Sequence, residues 1–353
     1  MRPEPTEHPE RTAAQRLYQY NVDLKVAFVL YAVAKLHLPD LLADGPRTTA
    51  DLAAATGSDP SRLRRLLRAA AGADALREVP EDSFELAPMG DLLRSGHPRS
   101  MRGMTTFFAE PDVLAAYGDL VESVRTGVPA FQLRHREPLY DFLARPQHKE
   151  VRDEFDAAMV EFGQYFADDF LTSFDFGRFT RFADIGGGRG QFLAGVLTAV
   201  PSSTGVLVDG PAVAASAHKF LASQNLTERV EVRIGDFFDV LPTGCDAYVL
   251  RGVLEDWADA DAVRLLVRIR QAMGDAPEAR LLILDSVIGE TGELGKVLDL
   301  DMLVLVEGEH RTRAQWDDLL ARAGFDIVGI HPAGDVWAVI ECRGTAGHHH
   351  HHH

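Results

Sequence analysis

From residue 14 to about residue 102 apolar positions recur at helical spacing, whereas from about residue 181 they gather into short runs with helical stretches between most of them. The first pattern predicts a helical region and the second an alternation of strands and helices. "YNVDLKVAFVLYAVAKLHLPDLL" is apolar on every side, so the helix expected over Val22 to Leu42 cannot face water alone and calls for a partner surface. "TTADLAAATGSDPSRLRRLLRAAAGADAL" follows, with Thr49 expected as the N-cap, Gly57 as the stop and a second helix opening after Pro60. With the hairpin-like "REVPEDSFELAPMGDLL" behind it, the spacing is that of a helix-turn-helix with a wing.

Beyond residue 181, "RFADI", "TGVLVD", "RVEVRIGD", "CDAYVL" and "ARLLILD" each read as a strand, the signature of a parallel, doubly wound α/β sheet. The end of the chain differs. "GFDIVGIHPAGDVWAVIECR" holds two strand-like runs with only Pro332 to Asp335 between them, too few for a helical crossover, so an antiparallel hairpin is expected there. A doubly wound sheet closed by such a hairpin is the layout of the S-adenosylmethionine (SAM) methyltransferase fold.

The strand ends carry the candidate chemistry. "ADIGGGRGQF" sets a glycine-rich turn directly after the first strand, where the chain passes close to a ligand. A nicotinamide fingerprint begun at Gly186 would need a third glycine where Gln191 stands. The spacing Asp184, Gly186, Gly188, Gly190 instead suits a ligand with an ammonium group and no pyrophosphate. Asp209, ending the second strand in "LVDGP", is placed to accept from a ribose diol. Asp236 and Phe237, in "GDFFD" after the third, suit an exocyclic amine and an adenine face. Each acid alone serves equally well as a cap or turn residue; three at successive strand ends point to one ligand.

Charge and composition narrow the classes. The net charge of −17 repels a polyanion, so Arg62, Arg64, Arg65 and Arg68 on the second helix read as a solvated face of a dimerisation module rather than a DNA-binding surface. Of the 14 histidines, six form the terminal run His348 to His353, a purification tag. Neither HExxH nor CxxC occurs elsewhere, and Cys245 and Cys342 read as small buried residues, so no metal is expected. No apolar run approaches bilayer length, and "MRPEPTEHPERTAAQ" has charges and prolines where a signal peptide needs an apolar core, which makes a cytoplasmic protein the expectation.

In order along residues 14–343, "DIGGGRG", "VDGPAV", "GDFFD", "RGVLEDWADADAVRLL", "LLILDSVI" and "DLDMLVLVEGEHRTRAQWDDLLARAGF" resemble the successive motifs of the plant-type small-molecule O-methyltransferases, including their bacterial natural-product branch. "GVPAFQLRHREPLYDFL" and "FDAAMVEFGQYF" resemble that family's substrate-domain helices. The resemblance implies a disordered N-terminus over 1–13, a winged-helix dimerisation domain over 14–102, pocket helices over 103–180, a SAM-binding Rossmann-like class I methyltransferase domain over 181–343 and a tagged tail over 344–353. It also implies a homodimer, a small-molecule substrate of secondary metabolism, SAM as cofactor with S-adenosylhomocysteine as product, and SAM-binding roles for Asp184, Gly186, Gly188, Asp209, Asp236, Phe237 and Arg251.

One departure stands out. Members usually read L-H-D-W after the fourth strand, the His being the general base, and G-x-E-R-T later, the Glu holding that His. This chain has Leu254, Glu255, Asp256, Trp257 and then Gly308, Glu309, His310, Arg311, Thr312. The exchange looks reciprocal. A phenol with a pKa near 10 is ionised to only about one part in a thousand at neutral pH, and a positioned base contributes on the order of 10²–10⁴ in rate. His310 can serve as that base with Glu255 as anionic partner and Asp285 as a second supporting acid. The expected acceptor is a hydroxyl or carboxyl of an aromatic or polyketide-like metabolite; the alternatives are transfer to an already ionised acceptor, which needs no base, SAM-binding chemistry other than methylation, or a winged-helix regulator that senses a small ligand. For the substrate, Asp256 and Trp257 follow the strand end, while Met159, Phe162 and Phe166 form a helical stripe that suits a packed core as readily as a pocket wall.

Overall fold

The computed structural model describes residues 9–239, 241–255, 257–306 and 310–346, so Asp256 lies outside the described residues. The chain divides into two units, one ending at Phe162 and the other beginning at Gly163. Among the described residues no helix is long and apolar enough to cross a membrane.

The first unit opens with α1 (Pro9–Lys35), which starts ahead of residue 14 and stops short of the helix expected to run from Val22 to Leu42. The chain turns at His37, whose φ of 56° is left-handed, and resumes as α2 (Leu38–Leu41). Pro39 explains the break: with no N–H it cannot donate to the carbonyl of Lys35 in a continuous helix, yet it is welcome in a new first turn. Next come β1 (Arg47–Thr48), α3 (Thr49–Thr56), α4 (Pro60–Gly72), β2 (Leu76–Val79) and β3 (Ser83–Leu86), the strands forming a small antiparallel sheet in the order β1-β3-β2. The N-cap of α3 is Thr48, which accepts from the Asp51 N–H, and not Thr49, whose hydroxyl turns to Asp82 at 3.0 Å. Gly57 ends α3 at a left-handed φ of 67°, and Asp59 caps α4. Leu52, Leu63, Leu67 and Phe84 fill the core beneath. Arg64 pairs with Asp82 and Arg68 with Glu78, so these arginines are occupied within the wing.

The second unit is built on seven strands: β4 (Arg181–Ile185), β5 (Thr204–Asp209), β6 (Val230–Ile234), β7 (Ala247–Arg251), β8 (Arg280–Asp285), β9 (Phe325–Ala333) and β10 (Trp337–Gly344), in the order β6-β5-β4-β7-β8-β10-β9. The first five are mutually parallel, and β10 is antiparallel to both β8 and β9. The hairpin turn is tighter than expected, because Pro332 and Ala333 still belong to β9. Apolar clusters cover both faces: Phe182, Leu207, Val249 and Leu282 on one, Ala183, Val206, Leu250 and Ile283 on the other. Strands buried on both faces cannot alternate polar with apolar residues, which is why they read as continuous apolar runs. The order reverses between β4 and β7, and the carboxyl ends of these strands frame the crevice where doubly wound sheets bind ligands.

Candidate active site

The turn after β4 is shaped by its glycines. Gly186 has a φ of 73° and donates to the Val208 carbonyl at 2.7 Å; a Cβ there would lie 2.9 Å from Val253 and 3.2 Å from the Phe237 ring. Gly188, with a φ of 61°, donates to Asp209 Oδ2 at 2.7 Å, and Gly210 donates to Oδ1 at the same distance. Gly187 went unremarked in the sequence, although a Cβ at that position would collide with the Asp184 carboxylate. The middle glycine of the unbroken run was the signal.

Asp184 is 2% exposed, and its Oδ2 has no hydrogen-bond partner among the described residues. Burial pushes its carboxyl up to about 7, Asp209 adding to the rise and the Arg251 charge opposing it. A buried carboxylate oxygen left open beside a glycine turn fits a cationic donor, the chemistry of an ammonium group. Arg251, ending β7, donates to the Gly163 carbonyl at 2.6 Å and sits 5.5 and 5.3 Å from the ring centroids of Phe170 and Phe192. Asp236 is exposed and accepts from the Phe238 N–H at 2.8 Å. Phe237 stacks at 6.4 Å on Trp257, which also faces Phe238. Trp257 is thus placed beside the aromatic pair that follows β6.

The second cluster lies past the ends of β7 and β8. One carboxylate oxygen each from Glu255 and Asp285 and a ring nitrogen of His310 come within 4.8 Å of one another. His310 Nε2 is 3.7 Å from Glu255 Oε2, and Nδ1 is 3.1 Å from Asp299 Oδ1, a carboxylate the sequence reading did not single out. Arg311 holds the two sides together by donating to the carbonyls of Leu254 and Trp257 and to Asp259, while its own carbonyl accepts from Ile288. Burial pushes the His310 pKa down, but Glu255, Asp285 and Asp299 more than offset this and leave it above the ordinary imidazole value. Asp285, 3% exposed, is held well above the carboxylate range by burial and by Glu255, against the Ser286 N–H, His310 and Arg311. One imidazole and two carboxylates also form a donor set for a divalent cation, as do Glu110, Glu150 and Glu154 in the first unit. In the first unit the Lys35 ammonium reaches all three of those carboxylates.

The apolar stripe divides. Met159 and Phe162 belong to the first unit, where Met159 is exposed and Phe162 meets Phe108 edge to face at 5.9 Å. Phe166 belongs to the second and meets Trp337 at 5.3 Å. The Trp337 ring lies 6.1 Å from His310, so Phe166 and Trp337 form an aromatic wall leading to the imidazole. Trp337 also escaped the sequence reading, though a Trp beside a hairpin turn in "GDVWAV" was visible.

Residues 117–326 match the model of an O-methyltransferase domain and residues 19–96 that of an O-methyltransferase dimerisation domain. A phenazine O-methyltransferase of Lysobacter antibioticus is 34% identical over 316 residues, 89% of this chain and 91% of that protein. A mitomycin biosynthesis 6-O-methyltransferase of Streptomyces lavendulae is 34% identical over 319 residues, 87% and 88% of the two chains. The crystal structure of a methyltransferase in calicheamicin biosynthesis, in its S-adenosylhomocysteine-bound form, superposes with a TM-score of 0.79 at 31% identity, covering 95% of this chain and 98% of that one. Sequence, fold and the open acid beside the glycine turn agree: the chain belongs to the plant-type O-methyltransferase family and is a SAM-dependent O-methyltransferase.

Proposed function

We propose that the chain methylates a hydroxyl of an aromatic secondary metabolite, with His310 as the general base and Glu255 and Asp285 as its supporting acids. The observation that carries this reading is the imidazole enclosed by carboxylates at the carboxyl end of the sheet. SAM supplies, when bound, an electrophilic methyl group. Asp184 would hold its ammonium, Asp209 its ribose, and Asp236 and Phe237 its adenine, with the Arg251 charge acting on Asp184 beside it. Gly186 and Gly188 keep the turn open to it. Asp209 also ties down the N–H groups of Gly188 and Gly210, so Asp209→Ala loosens the turn as well as the ribose contact. The aromatic class of the acceptor is supported by the wall of Phe166 and Trp337 and by the phenazine and mitomycin methyltransferases among the relatives.

The assembly we propose is a homodimer. Leu17, Tyr18, Tyr20 and Leu24 of α1 are more than half exposed in the single chain, and a second copy would remove that apolar surface from water.

The test incubates the protein with labelled SAM and a panel of phenolic and hydroxyquinone acceptors. Replacing either His310 or Glu255 by Gln is expected to lower turnover tenfold or more, and the double variant to be little worse than the worse single one. Wild-type turnover in His310→Gln would turn the assignment to base-free transfer. SAM binding with no methylated product from any acceptor would turn it to other chemistry.

A further inference from the structure

The imidazole of His310 has a carboxylate facing each ring nitrogen, and the two contacts are not equivalent. At 3.7 Å, Nε2 and Glu255 Oε2 are too far apart for a direct hydrogen bond, and a hydroxyl seated against both would bridge them. At 3.1 Å, Nδ1 and Asp299 Oδ1 are at hydrogen-bond distance, and the backbone N–H of His310 already donates to the same oxygen. Nδ1 is buried and lacks an aligned partner among the described residues; Asp299 Oδ1 is the carboxylate oxygen beside it, and a small rotation of that carboxylate would align the two. Catalytic hydrogen bonds tighten in this way when substrate arrives.

We propose that Asp299 is a positioning residue: it keeps the proton of the neutral ring on Nδ1 and so leaves the Nε2 lone pair turned toward Glu255 and the incoming hydroxyl. The inference rests on His310 being the base. In the proton step the hydroxyl O–H bond breaks, its electron pair stays on oxygen, and an Nε2–H bond forms. Asp299 takes no proton; its charge steadies the imidazolium, as the third group of a base–orienter pair does elsewhere. Asp299 is itself well placed to be rigid, since it joins two short helices, Glu293–Leu298 and Leu300–Leu305, and its N–H donates to the Gly295 carbonyl at 3.0 Å. The other groups around the ring are Glu255, Asp285, Arg311 beside Asp285, and the edge of Trp337. The combined carboxylate charge raises the imidazole basicity, as an orienting anion requires.

The experiment titrates full-length protein, labelled with ¹³C and ¹⁵N at histidine, and reads the ring nitrogens of His310, assigned from their loss in His310→Gln. The neutral ring is expected in its Nδ1–H form. In Asp299→Asn its titration midpoint falls by about one pH unit and the Nε2–H form gains population, while Asp299→Glu restores the wild-type midpoint in part. A wild-type ring mainly in the Nε2–H form, or a midpoint unmoved in Asp299→Asn, overturns the proposal. The signal of His331, which pairs with Glu341, reports whether a variant has kept its fold. If Asp299→Asn does not fold, the wild-type tautomer decides alone. Failure of the base reading is recognised separately, by undiminished methyl transfer in His310→Gln, a measurement that leaves the tautomer result standing.

Discussion

Two places in this chain enclose one basic side chain with three carboxylates. In the first unit Lys35 Nζ reaches Glu110 at 2.8 Å, Glu150 at 2.5 Å and Glu154 at 2.8 Å, with the Tyr31 hydroxyl donating to Glu110 at 3.3 Å. In the second, His310 faces Glu255, Asp285 and Asp299. The arrangement is alike and the consequence opposite. An ammonium ordinarily titrates near 10.4, and the three glutamates outweigh burial to raise Lys35 further, so it stays charged at any working pH and its cluster is a fixed clasp. An imidazole titrates near neutrality, so its cluster exchanges a proton under working conditions. The contacts also differ. Lys35 is within hydrogen-bond distance of all three partners, whereas His310 and Glu255 stand 3.7 Å apart, beyond direct hydrogen-bond reach.

The largest expected effect breaks the clasp. Lys35→Met leaves Glu110 and Glu154 buried without their cation and should cost about 3–5 kcal/mol in urea unfolding. A loss below about 1 kcal/mol would make Lys35 no more than a surface pair. Next is Arg311→Ala, which frees the loop after β7 from the segment bearing His310. Turnover should fall on the order of 100-fold, because a shift of about 1 Å in a catalytic group costs that much. Unchanged turnover would mean that the separation of Glu255 and His310 is set elsewhere.

The third prediction concerns pH. The base must be neutral to act, and the carboxylates raise the His310 pKa above its usual 6.5, so more of the ring is protonated at neutral pH than in free histidine. Turnover should therefore climb about tenfold per pH unit on the acid side and level off only above that usual value. A plateau already reached below it would remove His310 as the base.

The smallest effect lies in the clasp again. Burial and then the neighbouring Glu110 raise the Glu154 carboxyl to about 7, although Lys35 opposes them; Glu110 is lowered and carries the charge of the two. A carboxyl raised on folding stabilises the protein below the ordinary glutamate range, and that contribution is lost as pH rises through the folded value. Glu154→Gln should accordingly lose about 1 kcal/mol less than wild type between acid and slightly alkaline pH in paired unfolding curves. An equal loss in both would show that Glu154 does not titrate there.

The central strands β4, β5, β7 and β8 were legible because a sheet covered on both faces turns them into apolar runs, and an acid that ends such a run marks a carboxyl end. Glu255 and His310 were legible only against the motifs that the chain resembles. That they meet depends on Arg311, whose side chain crosses more than fifty positions of chain, and no local pattern announces such a crossing. Asp299 was hidden for the same reason, since its link to His310 is tertiary. The break at His37 was hidden differently: hydrophobic periodicity runs straight through it, and the one local cue, Pro39, is equally at home in a first turn. Thr48 and Thr49 are equivalent as capping residues by type, and the hydroxyl of Asp82's partner decided between them.

The Arg311 clasp on the loop after β7 joins the segments that carry side chains 255 and 310 through the carbonyls of Leu254 and Trp257 and through Asp259. Glu255→His combined with His310→Glu would set imidazole and carboxylate in exchanged places, and the rate of that variant would measure how freely chemistry can migrate across an unmoved frame.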